Sequence, residues 1–134
     1  MISEVSGPSP WQELLGAASP EVAVIATRAR EVVRGAVPDA LEEVDVSARM
    51  LGFTFAPGTY KGLFAGLVLH ATHVNLMFSD GVALAGLDAG GLLEGTGKLA
   101  RHIKLRTPAG AEVPRLAELV AAAAELRRLE PGPR

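Results

Sequence analysis

The chain has no cysteine among its 134 residues. This absence excludes disulfide bonds, thiolate zinc sites and cysteine nucleophiles together. It also fits a reducing compartment, so we expect a cytoplasmic protein. Tryptophan is almost as scarce, with Trp11 the only one. Its place beside a predicted helix start indicates a packing anchor for that helix.

Long apolar runs and excess positive charge are also missing. No apolar stretch reaches the roughly 18 residues that a membrane span requires, and the N-terminus lacks the basic-then-apolar order of a signal peptide. The formal net charge is −2, which argues against a globally basic nucleic-acid-binding protein. Hydrophobic residues make up 49% of the chain. We therefore expect one soluble domain with its own core and with neither membrane nor nucleic acid as a partner.

Two serine–proline pairs predict helix starts, because serine caps a helix and proline suits its first position. Ser9-Pro10 opens a short helix over about 10–17, and Ser19-Pro20 opens a longer one that ends near Gly35. Pro114 opens a last helix. The second helix carries an apolar stripe at helical spacing, formed by Val22, Ile25, Ala26, Ala29, Val32 and Val33. Residues 1–8 are predicted to be a flexible tail, and residues 9–130 the single domain.

The middle of the chain has the period-two pattern of strands. Strands are predicted over 53–55, 63–69, 73–78 and 100–106, with an extended edge segment over 44–50 and a strand or loop over 82–87. These segments lie between the helices. The sequence therefore predicts an α+β domain with an antiparallel sheet of about four strands, on which the N-terminal helices and the C-terminal helix pack.

A glycine-rich loop precedes the last strand and contains Gly91, Gly95 and Gly97. A phosphate-binding loop would need glycine at position 92 and serine or threonine after Lys98, but leucine occupies both places. Residues 95–100 match a dinucleotide fingerprint only superficially, since the strand before it and the helix after it are missing. We expect a structural turn with positive φ at two glycines, and no specific binding of ATP or NAD.

Several of these segments together are similar to a known family. The motifs are Tyr-Lys-Gly near position 60, His-Val-Asn-Leu-Met-Phe over 73–78, Gly-Leu-Leu-Glu-Gly-Thr-Gly-Lys over 91–98 and Arg-His-Ile-Lys-Leu over 101–105. In this order they resemble the YdhG-like family of small bacterial domains of unknown function, over about residues 37–126. The resemblance implies an antiparallel sheet with helices on one side. Some members are described as frataxin-like iron chaperones, and the family offers no settled catalytic residues to carry over.

The strands over 73–78 and 100–106 predict a polar, cationic face opposite the core, next to the glycine-rich loop. Its candidate ligand-binding residues are Lys98, His73, Asn75, His102, Lys104 and Arg106. Such a face suits an anionic small ligand or an acidic protein partner. It could equally be the solvated side of a half-buried sheet. Phe64 and Val68 are apolar outer positions on the strand over 63–69, and they predict a homodimer.

An acidic stretch over 39–45 is the candidate metal site. Asp39, Glu42 and Glu43 would share a face if residues 39–43 formed a helical turn, and they could then bind iron weakly. The stretch could instead be a solvated helix-to-strand connection. No other cofactor is expected. Two functions therefore remain: a non-enzymatic binding or adaptor domain, and a frataxin-like iron-binding chaperone. An enzyme of unknown class is the weaker alternative, since no nucleophile elbow surrounds any serine.

Overall fold

The computed structural model of the chain describes residues 9–59, 61–88 and 91–129. The predicted tail over 1–8, the tyrosine at position 60 and the predicted end of the domain at 130 lie outside these residues. Within them the chain is an α+β domain with one antiparallel sheet, which confirms the predicted fold class.

In the part of the chain that the structure describes, four α-helices flank the sheet in sequence: α1 (Pro10–Gly16), α2 (Pro20–Ala36), α3 (Pro108–Ala111) and α4 (Pro114–Leu129). Both predicted serine caps are present. The Ser9 hydroxyl accepts from the Gln12 amide at 3.2 Å, and the Ser19 hydroxyl accepts from the Val22 amide at 3.2 Å. None of the helices in the described ranges combines the length and the apolar character needed to cross a membrane.

The sheet has five strands: β1 (Leu41–Asp45), β2 (Met50–Thr54), β3 (Leu63–Leu69), β4 (Val74–Phe78) and β5 (Arg101–Leu105). Each strand pairs antiparallel with its neighbour in the chain, so the spatial order is β1-β2-β3-β4-β5. The segment between β4 and the glycine-rich loop forms a 3₁₀ helix, Gly81–Leu87, where a strand or loop was predicted.

The predicted extended segment over 44–50 is wrong, because the chain turns at residues 46–49. Asp45 fixes this turn: its carboxylate accepts from the Ser47 hydroxyl at 2.8 Å and from the Ala48 amide at 3.2 Å. These two donors, the hydroxyl first, hold the pKa of Asp45 below its ordinary value. Arg49 closes the turn with a φ of 53°. The turn makes β1 and β2 a hairpin, which accounts for the fifth strand.

One side of the sheet faces α2 and α4 and forms the core. In β4 the burial alternates as predicted, with Val74, Leu76 and Phe78 buried and the residues between them half-buried. Ile103 and Leu105 of β5 are buried on the same side. Each such large apolar side chain contributes roughly 1.5–3 kcal/mol when it is fully buried. The other side of the sheet, called the open face below, carries the partly exposed residues between them.

Phe64 does not lie on the open face, so that part of the homodimer argument is wrong. The register between β2 and β3 shifts at Phe53 and Thr54, which leaves Phe64 as an extra residue in β3. Its ring stacks on Phe55 with centroids 5.1 Å apart, and only 1% of its surface is exposed. Because of this shift, Leu63 turns to the open face beside Gly52. Val68, the second predicted position, does lie there and is partly exposed.

Candidate functional site

The candidate site lies on the open face, where β4 and β5 are neighbours. In this pairing Asn75 is opposite Lys104, and Met77 is opposite His102. Residues directly opposite each other in an antiparallel pair point to the same face, with their Cβ atoms about 4.5–5.5 Å apart. The predicted cationic face required these two strands to be neighbours, and in the sheet they are.

The turn between β3 and β4 adds two histidines to this end of the sheet. The His70 amide donates to the His73 carbonyl at 2.9 Å, and the two imidazole rings stack with centroids 4.6 Å apart. The carboxamide nitrogen of Asn75 donates to Nε2 of His70 at 3.3 Å. Asn75 therefore orients His70 through its amide nitrogen, whereas its amide oxygen is buried and has no hydrogen-bond partner among the described residues.

Five side chains form what we call the basic cluster: His70, His73, His102, Lys104 and Arg106. Loss of hydration is the first reason that the pKa of His73 lies below its ordinary value. The positive charges of His70, Lys104, Arg106 and His102 lower it further. The other four residues of the cluster therefore all act on His73. Because its pKa lies below the ordinary value, its imidazole is mainly neutral at neutral pH.

Glu94 lies beside the basic cluster, a position that no pattern in the sequence predicts. The segment before β5 returns along the free edge of that strand, so the Glu94 amide donates to the His102 carbonyl at 2.7 Å and the reverse bond measures 2.9 Å. The Glu94 carboxylate ends 3.9 Å from Nε2 of His102. This acid lies against His102, so the cationic end of the face is at Lys104 and Arg106, beside His73.

The glycine-rich loop is a turn structure, as predicted. Gly91 and Gly95 have φ values of 68° and 122°, which confirms positive φ at two glycines. The Arg101 guanidinium donates to the carbonyls of Gly97 and Ala100, at 2.5 and 2.7 Å. The loop leads into β5, so it presents no helix N-terminus to a phosphate. Lys98 is exposed on it, and no hydrogen bond or ion pair in the described residues joins Lys98 to the basic cluster.

The three candidate metal ligands do not converge. The predicted helical turn over 39–43 is wrong, because β1 begins at Leu41 and its alternation sends Glu42 and Glu43 to opposite sides of the sheet. Within residues 9–59, 61–88 and 91–129, no three metal-ligating side chains come together.

Each of these carboxylates has a partner within the chain. Glu42 accepts two bonds of 2.7 Å from the Arg30 guanidinium, and Glu43 accepts from the Gly58 amide at 2.8 Å. Asp39 accepts from Arg128 at 2.5 Å, and that bond holds the pKa of Asp39 below its ordinary value. A metal ion would have to displace all three partners, two of which are arginines.

The chemistry that the basic cluster supports is recognition of negative charge. Lys104 and Arg106 are permanent donors, and the imidazoles become donors at both nitrogens when they are protonated. Comparisons of the chain with protein-family models, with curated proteins and with solved structures give no match.

Proposed function

We propose that the chain is a cytoplasmic, non-enzymatic binding domain that takes an anionic group, a carboxylate or a phosphate, on the basic cluster. The observation that carries the proposal is the gathering of five basic side chains at one end of the open face, around His73, whose pKa is lowered first by loss of hydration and then by its four basic neighbours. These side chains come from the turn before β4, from β5 and from the residue that follows β5. An anion bound there would relieve their mutual repulsion.

The cluster is open to solvent, which sets the strength of binding. His70 and Arg106 are exposed, and His73 and Lys104 are partly exposed. Ion pairs at such positions are screened by salt and contribute little individually. We therefore expect weak binding of a small anion, with an affinity that falls as ionic strength rises.

The histidines provide the test. The chain has three, and all of them belong to the basic cluster. Inorganic phosphate is titrated at low salt while the imidazole proton signals are followed by NMR. Saturable shifts of the His73 signal are expected, with a raised His73 pKa in the bound state because the anion stabilises imidazolium.

Charge-reversed variants locate the site. Lys104→Glu and Arg106→Glu should each weaken phosphate binding about tenfold, whereas Arg34→Glu, an exposed position in the last turn of α2, should leave it unchanged. Unsaturable shifts, or equal weakening by all three variants, would show nonspecific screening and contradict the proposal.

The iron-chaperone alternative and the resemblance to YdhG-like domains stay predictions. The alternative is tested by titrating ferrous iron anaerobically into the wild type, the triple alanine variant of Asp39, Glu42 and Glu43, and the double His73/His102 variant. The acidic hypothesis expects weak binding that only the triple variant loses. Tight iron binding that only the histidine variant loses would instead locate the metal site on the open face.

A further inference from the structure

The open face carries opposite charges at its two edges. The strand register defines one row across the sheet, called the Val68 row, formed by Asp45, Met50, Val68, Asn75 and Lys104. It begins with a carboxylate on β1 and ends with an ammonium on β5. The middle of the row is partly exposed and mostly apolar.

The adjacent row, called the Gly66 row, repeats this order. It is formed by Glu43, Gly52, Gly66, Met77 and His102. Two glycines make a depression in the middle of the sheet, into which Met50 leans. A Cβ atom on Gly66 would come within 2.8 Å of the Met50 sulfur. The acidic edge borders a groove of about 480 Å³ that is lined by Glu43, Asp45, Met50, Gly52 and Leu63, among others.

We propose that a second copy of this chain binds the open face, related by a two-fold axis that runs parallel to the strands over β3. This inference rests on the proposed function, since it names the acidic partner of the basic cluster as β1 of the second copy. A rotation about such an axis leaves the position of each residue along the strand direction unchanged. It places β1 of one copy opposite β5 of the other. Each row of one copy then lies opposite the same row of the second copy, with its residues in reverse order.

The facing pairs are complementary. In the Val68 row, Asp45 faces Lys104 of the second copy, and Val68 faces Val68. In the Gly66 row, Glu43 faces His102, and Met77 faces Gly52 and the Leu63 and Met50 side chains that lie over it. Each contact between two different residues occurs twice, as a two-fold interface requires, and the Val68–Val68 contact lies on the axis. The strands of two aligned, packed sheets cross at about 30°. This angle displaces each edge strand from the strand that faces it by about 5 Å, a distance that a lysine side chain spans.

Direct strand addition at β1 is the less favourable way to join two copies. Glu43 and Asp45 lie on one side of that edge strand, and Glu42 lies on the other. Antiparallel pairing of two β1 strands would bring these carboxylates together across the new ladder, where like charges oppose each other. Face-to-face packing instead sets Asp45 opposite Lys104 and Glu43 opposite His102, and it leaves Glu42 with Arg30.

The size of the face determines the expected strength. Five strands about 4.8 Å apart and about five residues long give a projected area of about 400 Å² per copy. Standard stable interfaces bury about 800 Å² per partner. We therefore expect a weak dimer that forms as concentration rises and dissociates at high salt. Because phosphate binding and dimerisation both use Lys104, phosphate should compete with dimerisation.

Analytical ultracentrifugation across a concentration series tests the dimer. Asp45→Lys and Lys104→Asp should each raise the dissociation constant about tenfold or more, because each opposes two pairs of like charges. An equimolar mixture of the two variants should associate again, since one copy is then cationic and the other anionic at both contacts. The double variant should associate as the wild type does. Glu31→Lys and Arg34→Asp make the same charge changes on α2 and should have no effect.

Misfolding cannot imitate this pattern, because a mixture of two misfolded variants does not regain association. Asp45→Asn keeps an acceptor for the 46–49 turn and should weaken the dimer less than Asp45→Lys. A wild type that stays monomeric at every concentration overturns the inference. So does association that Asp45→Lys and Lys104→Asp leave unchanged.

The same variants separate this inference from the proposed function. Asp45→Lys removes the contact with a second copy but keeps the basic cluster, so phosphate should still shift its His73 signal. Phosphate binding without a dimer in the wild type would support the anion site and overturn the dimer. A dimer that responds to the charge swap, in a chain that does not bind phosphate, would support the interface and contradict a general anion site.

Discussion

Arg127 is a charged side chain that the fold buries almost completely, with 4% of its surface exposed. Its guanidinium donates to the Lys61 carbonyl at 3.0 Å and to the Asp80 carboxylate at 2.7 Å. These bonds join α4 to the turn before β3 and to the turn after β4. The sequence shows only a cation in the last turn of a helix, so its burial was not predictable.

Replacing Arg127 with alanine should lower the free energy of unfolding by about 3 kcal/mol, because Asp80 loses its partner and a buried volume is left empty. Urea denaturation measures the change. Arg28→Ala is the control, since Arg28 pairs with Glu112 at 2.9 Å with both side chains half exposed. That variant should cost less than about 1 kcal/mol. Equal losses in the two variants would mean that the Arg127 pair is not a buried anchor.

Two glycines should respond to alanine in opposite directions. A Cβ on Gly81 would lie 2.5 Å from the backbone nitrogen of Arg101, so the 3₁₀ helix would have to move away from β5. We expect Gly81→Ala to destabilise the fold by roughly 1–3 kcal/mol. Gly35 lies in α2 with nothing within 4 Å of such a Cβ. Gly35→Ala should stabilise the fold by about 0.5–1 kcal/mol. Thermal unfolding of both variants shows whether each change raises or lowers stability.

At the scale of elements, the start of α2 depends on a single hydroxyl, that of Ser19. Ser19→Ala should lower the free energy of unfolding by about 1 kcal/mol, because the Val22 amide loses its acceptor. Thr27→Ala is the matched control inside the same helix, where the threonine hydroxyl bonds to the Ala23 carbonyl. That change should alter stability by only a few tenths of a kcal/mol. Equal effects would indicate that the cap contributes nothing beyond helix propensity.

Elements whose causes are local were predictable from the sequence. The serine caps and the alternation in β4 depend on residues within a few positions of each other, and both are confirmed. The same holds for the positive φ values in the glycine-rich loop. The turn before Arg49 and the extra residue at Phe64 interrupt an alternation that continues on either side, so periodicity could not reveal them.

The surroundings of the candidate residues were less predictable, because they depend on distant parts of the chain. Arg128 reaches Asp39 across 89 positions, and Arg30 reaches Glu42 across 12. The sequence identified the acids and the cations but not their pairing. By contrast, Asn75, His102 and Lys104 were placed on one face correctly, since this required only the alternation of two strands and their adjacency.

At the scale of the whole molecule, His73 should make stability depend on pH. Its folded pKa lies below its ordinary value near 6.5, for the reasons given with the basic cluster. The unfolded chain therefore binds more protons between these two values, and stability falls as pH decreases through that window. At pH values above the ordinary pKa, His73 is neutral in both states and its contribution is constant.

The variant His73→Gln should lose this part of the pH dependence. Urea midpoints measured from about pH 7.5 down to about pH 5.5 should fall less steeply in the variant than in the wild type. An NMR titration of His70→Gln provides a second measurement, since removing one positive neighbour should raise the His73 pKa. Parallel pH profiles of the wild type and His73→Gln would contradict the lowered pKa.

The order of the sheet has a consequence for how the chain acquires its structure. Every strand pairs with the strand before it, so β1 to β4 can form three successive hairpins as they leave the ribosome. Contacts that are close in sequence need little loop closure, and domains rich in such contacts fold faster than those built on distant pairings. α4 is made after the sheet, and its Arg127 bonds to the turn before β3 and the turn after β4, which lie together at the open end of the β3–β4 hairpin. We therefore expect the growing chain to expose the part of the core side that α2 leaves uncovered until α4 packs on it.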